Sequence, residues 1–144
     1  MIPSQVANLE DKMLTITQPV YDAMLEHLNA VYPQEGCGLL GGRGDTAVSH
    51  TAIDNILRSP VAYEMDATQQ IQAMIALEAQ GLENLVIYHS HPTGPSHPSA
   101  TDLAQAYYPD AIYLIISLAD RNRPLVAAFR IGDGRYTPIP LVIE

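Results

Sequence analysis

Cysteine is nearly absent from this chain: Cys37 is the single one in 144 residues. One cysteine cannot form an internal disulfide, and it cannot supply the thiolates of a cysteine-rich zinc site. A reducing compartment suits such a chain. Residues 1–5 also carry no basic stretch ahead of an apolar run, which argues against a secretory signal. We therefore predict a cytoplasmic protein.

Basic residues and long apolar runs are also scarce. There are 7 Lys and Arg against 16 Asp and Glu, which gives a formal net charge of −9, and the basic residues are scattered along the chain. Nucleic-acid binding requires clustered positive charge. The longest strongly apolar run, residues 111–119, is too short to span a bilayer and is typical of a buried strand. We therefore predict neither a nucleic-acid partner nor a membrane partner.

The length suits one domain, which we take as residues 1–144, with residues 1–11 as a loose lead-in that lacks periodicity. Hydrophobic patterns in the remainder predict the order β-α-β-β-α-β-α-β-β-β. The last of these strands covers residues 136–143, and its two prolines suit a sheet edge. This order favours an α+β fold in which one mixed sheet is flanked by helices.

The second predicted helix runs from about Ala67 to Gln80. Asp66 followed by Gln69 resembles a capping box at its start, and Gly81 is typical of a helix end. We expect four apolar residues on its buried face: Ile71, Met74, Ile75 and Leu82.

The segment 89–102 carries a pattern of metal ligands directly after an apolar strand. His89 and His91 lie two residues apart, so they emerge on one face of a strand, roughly 6.5–7 Å apart along the backbone. Ser99 is typical of a helix N-cap, and a helix that begins there holds Asp102 in its first turn. Two histidines and one carboxylate leave the fourth position of a tetrahedral zinc open for water, as in catalytic sites.

Simpler explanations exist for each of these residues alone. Asp102 could be only a favourable first-turn charge, and Ser99 only the cap of its helix. His89 and His91 could be polar residues at a strand end. These explanations treat each residue separately and leave the spacing unexplained, which is why we favour the metal site.

The spacing also resembles the signature of the JAMM (MPN+) zinc metallopeptidases. Their pattern of His-Ser-His-Pro, six residues, Ser, two residues and Asp is met in full over residues 89–102. The family's remaining element is a glutamate ahead of a Cys-Gly-Leu-Leu-Gly strand, and Glu35 ahead of residues 37–41 is similar to it. The resemblance covers about residues 14–143 and implies a single JAMM/MPN-like domain with a curved mixed sheet.

The resemblance implies roles for five residues. One zinc ion per chain would be held by His89, His91 and Asp102. Glu35 would be the general base that takes a proton from the attacking water, and Ser99 would help to hold the oxyanion.

Two other residues could carry chemistry near this site. Glu64 is a rival carboxylate, but it does not fit the family pattern, whereas Glu35 does. Cys37 could be a nucleophile, although beside Gly38 it is better explained as a small buried apolar residue.

His27, on the first helix, is interpreted as a surface residue because nothing flanks it with ligand spacing.

Members of this family cleave peptide or isopeptide bonds after ubiquitin-like tails, and compact bacterial-type members resemble peptidases that process sulfur carriers. The resemblance therefore implies hydrolysis after the C-terminal Gly-Gly of a ubiquitin-like protein, with a sulfur carrier as the favoured partner. The alternative is a catalytically inactive MPN scaffold used for protein assembly. Scaffold relatives typically lose ligands, whereas all five site residues are present here.

Overall fold

Eight strands form one curved mixed sheet in a computed structural model that describes residues 13–144, and three helices flank the sheet. The predicted lead-in over residues 1–11 lies outside the described residues. The strands are β1 (Leu14–Ile16), β2 (Cys37–Arg43), β3 (Thr46–Ile53), β4 (Glu83–His91), β5 (Ile112–Ser117), β6 (Leu125–Gly132), β7 (Arg135–Ile139) and β8 (Leu141–Ile143). The helices are α1 (Gln18–Val31), α2 (Ala67–Ala79) and α3 (Ala100–Ala104). This confirms the predicted mixed sheet flanked by helices.

The prediction of a single final strand over residues 136–143 is wrong. The sheet order is β7-β6-β5-β4-β2-β3-β1-β8, so the end of the chain supplies both edge strands. Pro140 separates β7 from β8, and its carbonyl accepts a hydrogen bond of 2.9 Å from the Leu14 amide on β1. Because two consecutive strands occupy opposite edges, the sheet curls until it is nearly closed.

Helix α1 covers one face of the sheet. Thr17 is its N-cap residue and Pro19 lies in its first turn, where a missing N–H costs nothing. Val20, Met24 and Leu28 recur every four residues and are buried in a cluster that includes Tyr88 of β4. The predicted helix over this segment is confirmed, and its apolar stripe fixes which face packs on the sheet.

Helix α2 covers the other face, and only part of its predicted buried face is confirmed, since Met74 packs partly buried against the core and the two isoleucines do not. Ile71 and Ile75 are 57% and 62% exposed, and the buried residues are Ala73 and Leu77. A Cβ atom added at Gly41 of β2 would lie 2.3 Å from Cδ2 of Leu77, so the absence of a side chain at residue 41 makes room for Leu77. The helix therefore turns its Ala73–Leu77 face to the sheet.

Strand β4 lies inside the sheet, antiparallel to β2 and parallel to β5. Its side chains alternate, so Val86 and Tyr88 join the core under α1 while Ile87 joins the core that contains Ala73 of α2. His89 and His91 share the parity of Ile87. The end of β4 therefore presents both imidazoles on the face that α2 and α3 flank.

Candidate metal centre

His89 and His91 are the last side chains of β4 on its α2 side. His89 is 1% exposed and His91 is nearly as buried. Their Nε2 atoms lie 3.1 Å apart, and the rings meet edge to face with centroids 4.9 Å apart. The predicted convergence of these two imidazoles is therefore present in the fold.

Asp102 reaches the histidines from the first turn of α3. Its Oδ1 lies 3.1 Å from Nε2 of His89, and its Oδ2 lies 3.0 Å from Nε2 of His91. Ser99 caps the helix: its Oγ accepts from the Asp102 amide at 3.0 Å, while its own amide donates to Oδ2 of Asp102 at 2.9 Å. This reciprocal capping box holds the Asp102 carboxylate in place, so Asp102 both caps α3 and faces the two histidines.

The three side chains form a group of potential metal ligands, the one such group found among residues 13–144. Their facing atoms lie 3.0–3.1 Å apart. A tetrahedral zinc with bonds of about 2.0–2.1 Å has ligand atoms about 3.3 Å apart, so the set fits this ion. Burial lowers the pKa of His89, which favours the neutral ring that binds metals.

The surroundings of the three side chains also suit metal binding. Nδ1 of His91 lies 2.7 Å from the carbonyl oxygen of Pro95, so a proton on Nδ1 leaves the Nε2 lone pair free. Tyr63 stacks on the His89 ring at 4.5 Å between centroids and closes that side. Burial alone would raise the pKa of Asp102, but the close contacts of its carboxylate with the His89 and His91 rings lower that pKa well below its usual range, which keeps the carboxylate charged.

Glu35 precedes β2 and is 5% exposed. Burial, opposed by the nearby His91, raises the pKa of its carboxyl group to about 7. Within residues 13–144 its buried Oε1 has no hydrogen-bond partner. The adjacent Gly36 is tied to the strand between the histidines, since its amide donates to Oγ of Ser90 at 2.9 Å. Glu35 therefore holds a spare acceptor beside the ligand-bearing strand.

A cavity of about 300 Å³ brings together Glu35, His91 and Ser99. Its walls include Pro60 and Val61 from the connection between β3 and α2. One solvent-accessible cavity is thus lined by the Glu35 carboxylate, which has a free oxygen, by the candidate ligand His91 and by Ser99, which caps α3. Such an arrangement can position water, deprotonate it and orient a carbonyl group.

The rival residues lie apart from this arrangement. Glu64 is exposed and is not among the converging side chains. The Cys37 thiol is fully buried and donates to the carbonyl of Ile53 at 3.4 Å, and burial raises its pKa to about 12, which fits the predicted apolar role. His27 is half-buried rather than on the surface, with its ring centroid 6.5 Å from that of Tyr88. The prediction for His27 is therefore wrong in its burial.

Tyr63, Ser90, Pro95 and Asn55 support the site and are not predicted by the sequence. Tyr63 contacts His89 and Asn55 bonds the Glu35 carbonyl across the chain, which a one-dimensional pattern does not reveal, and Pro95 contacts His91 through its backbone carbonyl, which carries no residue-type signal. Ser90 has a signal in the sequence, because it stands between the two histidines and must face the opposite side of β4.

Among residues 13–144, none of the helices has the length and hydrophobicity that a membrane span requires.

Residues 17–132 match the family model described as prokaryotic homologs of the JAB domain. The CysO-cysteine peptidase of Mycobacterium tuberculosis is 36% identical over 135 residues, which cover 92% of this chain and 92% of that protein. A desampylase of Haloferax volcanii is 34% identical over 111 residues, which cover 72% of this chain and 80% of that protein. The solution structure of a protein from Desulfitobacterium hafniense superposes with a TM-score of 0.84 at 34% identity and covers 92% of this chain and 93% of that one.

Proposed function

This chain belongs to the family of prokaryotic homologs of the JAB domain, and from that premise we propose that it is a zinc-dependent peptidase or isopeptidase that cuts after the C-terminal Gly-Gly of a ubiquitin-like protein. Relatives that match most of its length are peptidases, so the predicted hydrolase is confirmed. The zinc, the roles of individual residues and the substrate are parts of the proposal.

One observation carries the proposal: two imidazoles and a carboxylate converge within 3.0–3.1 Å, and one of them, His91, lines the cavity that also holds Glu35. Nε2 of His89, Nε2 of His91 and one oxygen of Asp102 would hold the ion. Bound zinc would supply Lewis acidity, which lowers the pKa of water and polarises the scissile carbonyl.

Glu35 would move the proton. Its buried carboxylate has a free oxygen and a pKa of about 7, so it can take a proton from the attacking water near neutral pH. The same group can then give that proton to the departing amine, because a carboxyl group with this pKa releases it readily.

Ser99 would orient the scissile carbonyl. Its oxygen accepts the amide of Asp102, and this capping contact uses a lone pair rather than the hydroxyl hydrogen. The hydroxyl can therefore donate to a substrate oxygen in the cavity that it lines. Capping and carbonyl binding are thus compatible in one residue.

The substrate class follows from the shape of the cavity and from the relatives. Backbone at the ends of a glycine-rich tail can approach the site closely, because glycine has no side chain to meet the Pro60 and Val61 wall. One relative is named a CysO-cysteine peptidase. We favour a small sulfur carrier that ends in Gly-Gly and carries an added amino acid or a lysine linkage.

The alternative, an inactive MPN scaffold, explains the fold but not the site. A scaffold needs neither the convergent ligands nor a buried Glu35 with a free acceptor. The convergence of all five candidate residues around one end of β4 favours the enzyme.

The test is to incubate the purified protein with a carrier whose Gly-Gly terminus is extended by one amino acid, and to follow the mass of the carrier. We expect release of the free Gly-Gly carrier that stops on addition of a zinc chelator. A carrier with a bulky residue in place of the penultimate glycine is the matched control and should be cut slowly. Intact adduct after incubation with zinc-loaded protein would contradict the enzyme and favour the scaffold.

A further inference from the structure

Asn55 is a buried asparagine whose whole hydrogen-bonding capacity is used. It lies at the start of the connection between β3 and α2, which we call the 54–66 loop, and it is 9% exposed. Its Nδ2 donates to the carbonyl of Glu35 at 2.9 Å and to that of Ala62 at 3.1 Å. Its Oδ1 accepts from the amides of Leu57 at 3.0 Å and Glu64 at 3.1 Å. All four bonds of one side chain therefore organise this loop and fasten it to Glu35.

The 54–66 loop holds Glu35 at both of its backbone polar groups. The Glu35 carbonyl accepts from Asn55, and the Glu35 amide donates to the carbonyl of Ser59 at 2.8 Å. No regular ladder fixes this residue, since β2 begins only at Cys37. The backbone of Glu35 is therefore held directly by the loop, whereas β4 holds its neighbour Gly36.

The same loop borders the cavity and the ligand face. Pro60 and Val61 line the cavity that contains Glu35, and Tyr63 stacks on His89. A substrate tail that occupies the cavity must touch the loop that holds the base. The Asn55 side chain thus joins the backbone of Glu35 to Ala62, which directly follows the cavity-lining Val61.

We propose that Asn55 is a positioning residue for Glu35: it fixes the carboxylate for proton transfer and does not touch the substrate or the metal ligands. The inference rests on the proposed function in taking Glu35 as the base. His89 and His91 lie on β4 and Asp102 on α3, and none of the four bonds of Asn55 reaches them. Loss of the Asn55 donor therefore leaves the ligand set in place and loosens Glu35.

The decisive substitution is Asn55→Asp, which keeps the size of the side chain. An aspartate still accepts from Leu57 and Glu64, but it turns a carboxylate oxygen toward the carbonyls of Glu35 and Ala62 where the amide donates now. The matched control is Asn29→Asp on α1, where an exposed asparagine donates to the Leu25 carbonyl at 3.1 Å. The control has the same charge change and the same kind of lost bond, at a residue that does not line the cavity.

Hydrogen exchange provides the readout that does not depend on activity. We expect the Glu35 amide to exchange about ten-fold faster in Asn55→Asp, while amides of β5 keep their protection. Zinc content should equal that of the unmodified protein. In Asn29→Asp the exchange of Glu35 should not change.

Turnover of the Gly-Gly adduct provides the second readout. We expect kcat to fall at least about ten-fold in Asn55→Asp with a smaller change in KM, because the lost contact acts on the base. Combined with Glu35→Gln, the same substitution should cost less than about two-fold, because residues that act as one unit are not additive. If Asn55→Asp does not fold, Asn55→Ser replaces it in the same measurements of exchange, zinc content and turnover.

Two results would overturn the inference. One is an unchanged exchange rate at Glu35, which would show that the bond does not hold this residue. The other is a full additional loss of turnover in the Glu35→Gln background, which would assign Asn55 to general stability. If the unmodified protein cuts no Gly-Gly adduct, the proposed function fails, while the exchange rate of Glu35 still decides whether Asn55 positions it.

Discussion

At the residue scale, Asp102 has two roles that different side chains often fill: it belongs to the cap of α3, and it faces both imidazoles of the candidate metal site. Its Oδ2 accepts from the Ser99 amide at the start of α3, and both of its oxygens face imidazole nitrogens. A capped first turn fixes the carboxylate before any ion arrives, so little ordering entropy remains to be lost on binding. Substitution here therefore affects both the helix and the ion.

Removal of a ligand should remove the metal. We expect His89→Ala and Asp102→Ala to lose most of the zinc that the unmodified protein binds at about one ion per chain, because each substitution leaves only two of the three protein ligands. Elemental analysis of the purified variants measures this. His97→Ala is the matched control, since His97 is an exposed histidine of the same segment outside the converging group, and its zinc content should not change. Full zinc occupancy in a variant that carries both His89→Ala and Asp102→Ala would refute the ligand assignment.

The candidate ligands could be predicted from sequence because their spacing is short and geometric. His89 and His91 share a face by strand alternation, and Asp102 follows a recognisable cap. The contact of Tyr63 with His89 could not be predicted, because no pattern tells which distant loop returns over a ring. The supporting bonds of Asn55 are hidden for the same reason.

At the element scale, the helices and strands follow their periodicity, but the face of α2 does not. Apolar residues occur around much of this helix, so its sequence pattern does not select one side. The choice is made by the opposing surface, where Gly41 leaves space that Leu77 fills. The surface of β2 therefore determines which face of α2 is buried, whereas the sequence of the helix does not.

The orientation of α2 predicts unequal costs for two similar substitutions. Leu77→Ala should lower the free energy of unfolding by about 2–5 kcal/mol, because it empties a buried site. Ile75→Ala should change it by less than about 0.5 kcal/mol, because the side chain is largely exposed. Urea unfolding of both variants makes the comparison. A larger loss in Ile75→Ala than in Leu77→Ala would mean that α2 packs on the face expected from its isoleucines, and equal losses would contradict the unequal burial of the two side chains.

At the scale of the whole molecule, the order of elements could be predicted but the order of strands in the sheet could not. Strand β1 pairs in parallel with β8, from the opposite end of the chain, and the sequence of neither segment predicts this pairing. The split at Pro140 is visible as a proline, yet its consequence, two opposite sheet edges, depends on the curvature of all eight strands. The antiparallel pairing of β2 with the neighbouring β4 places Glu35, ahead of β2, beside the end of β4.

The most decisive measurement is the turnover of a Gly-Gly adduct by Glu35→Gln beside the unmodified protein, with zinc content and unfolding midpoint measured on the same samples. The amide is the same size as the carboxylate but cannot take the water's proton. We predict unchanged zinc, an intact fold and a loss of turnover of at least about 10²-fold. Near-normal turnover in a zinc-loaded, folded Glu35→Gln variant would contradict the assignment of Glu35 as the base of a metal-dependent peptidase.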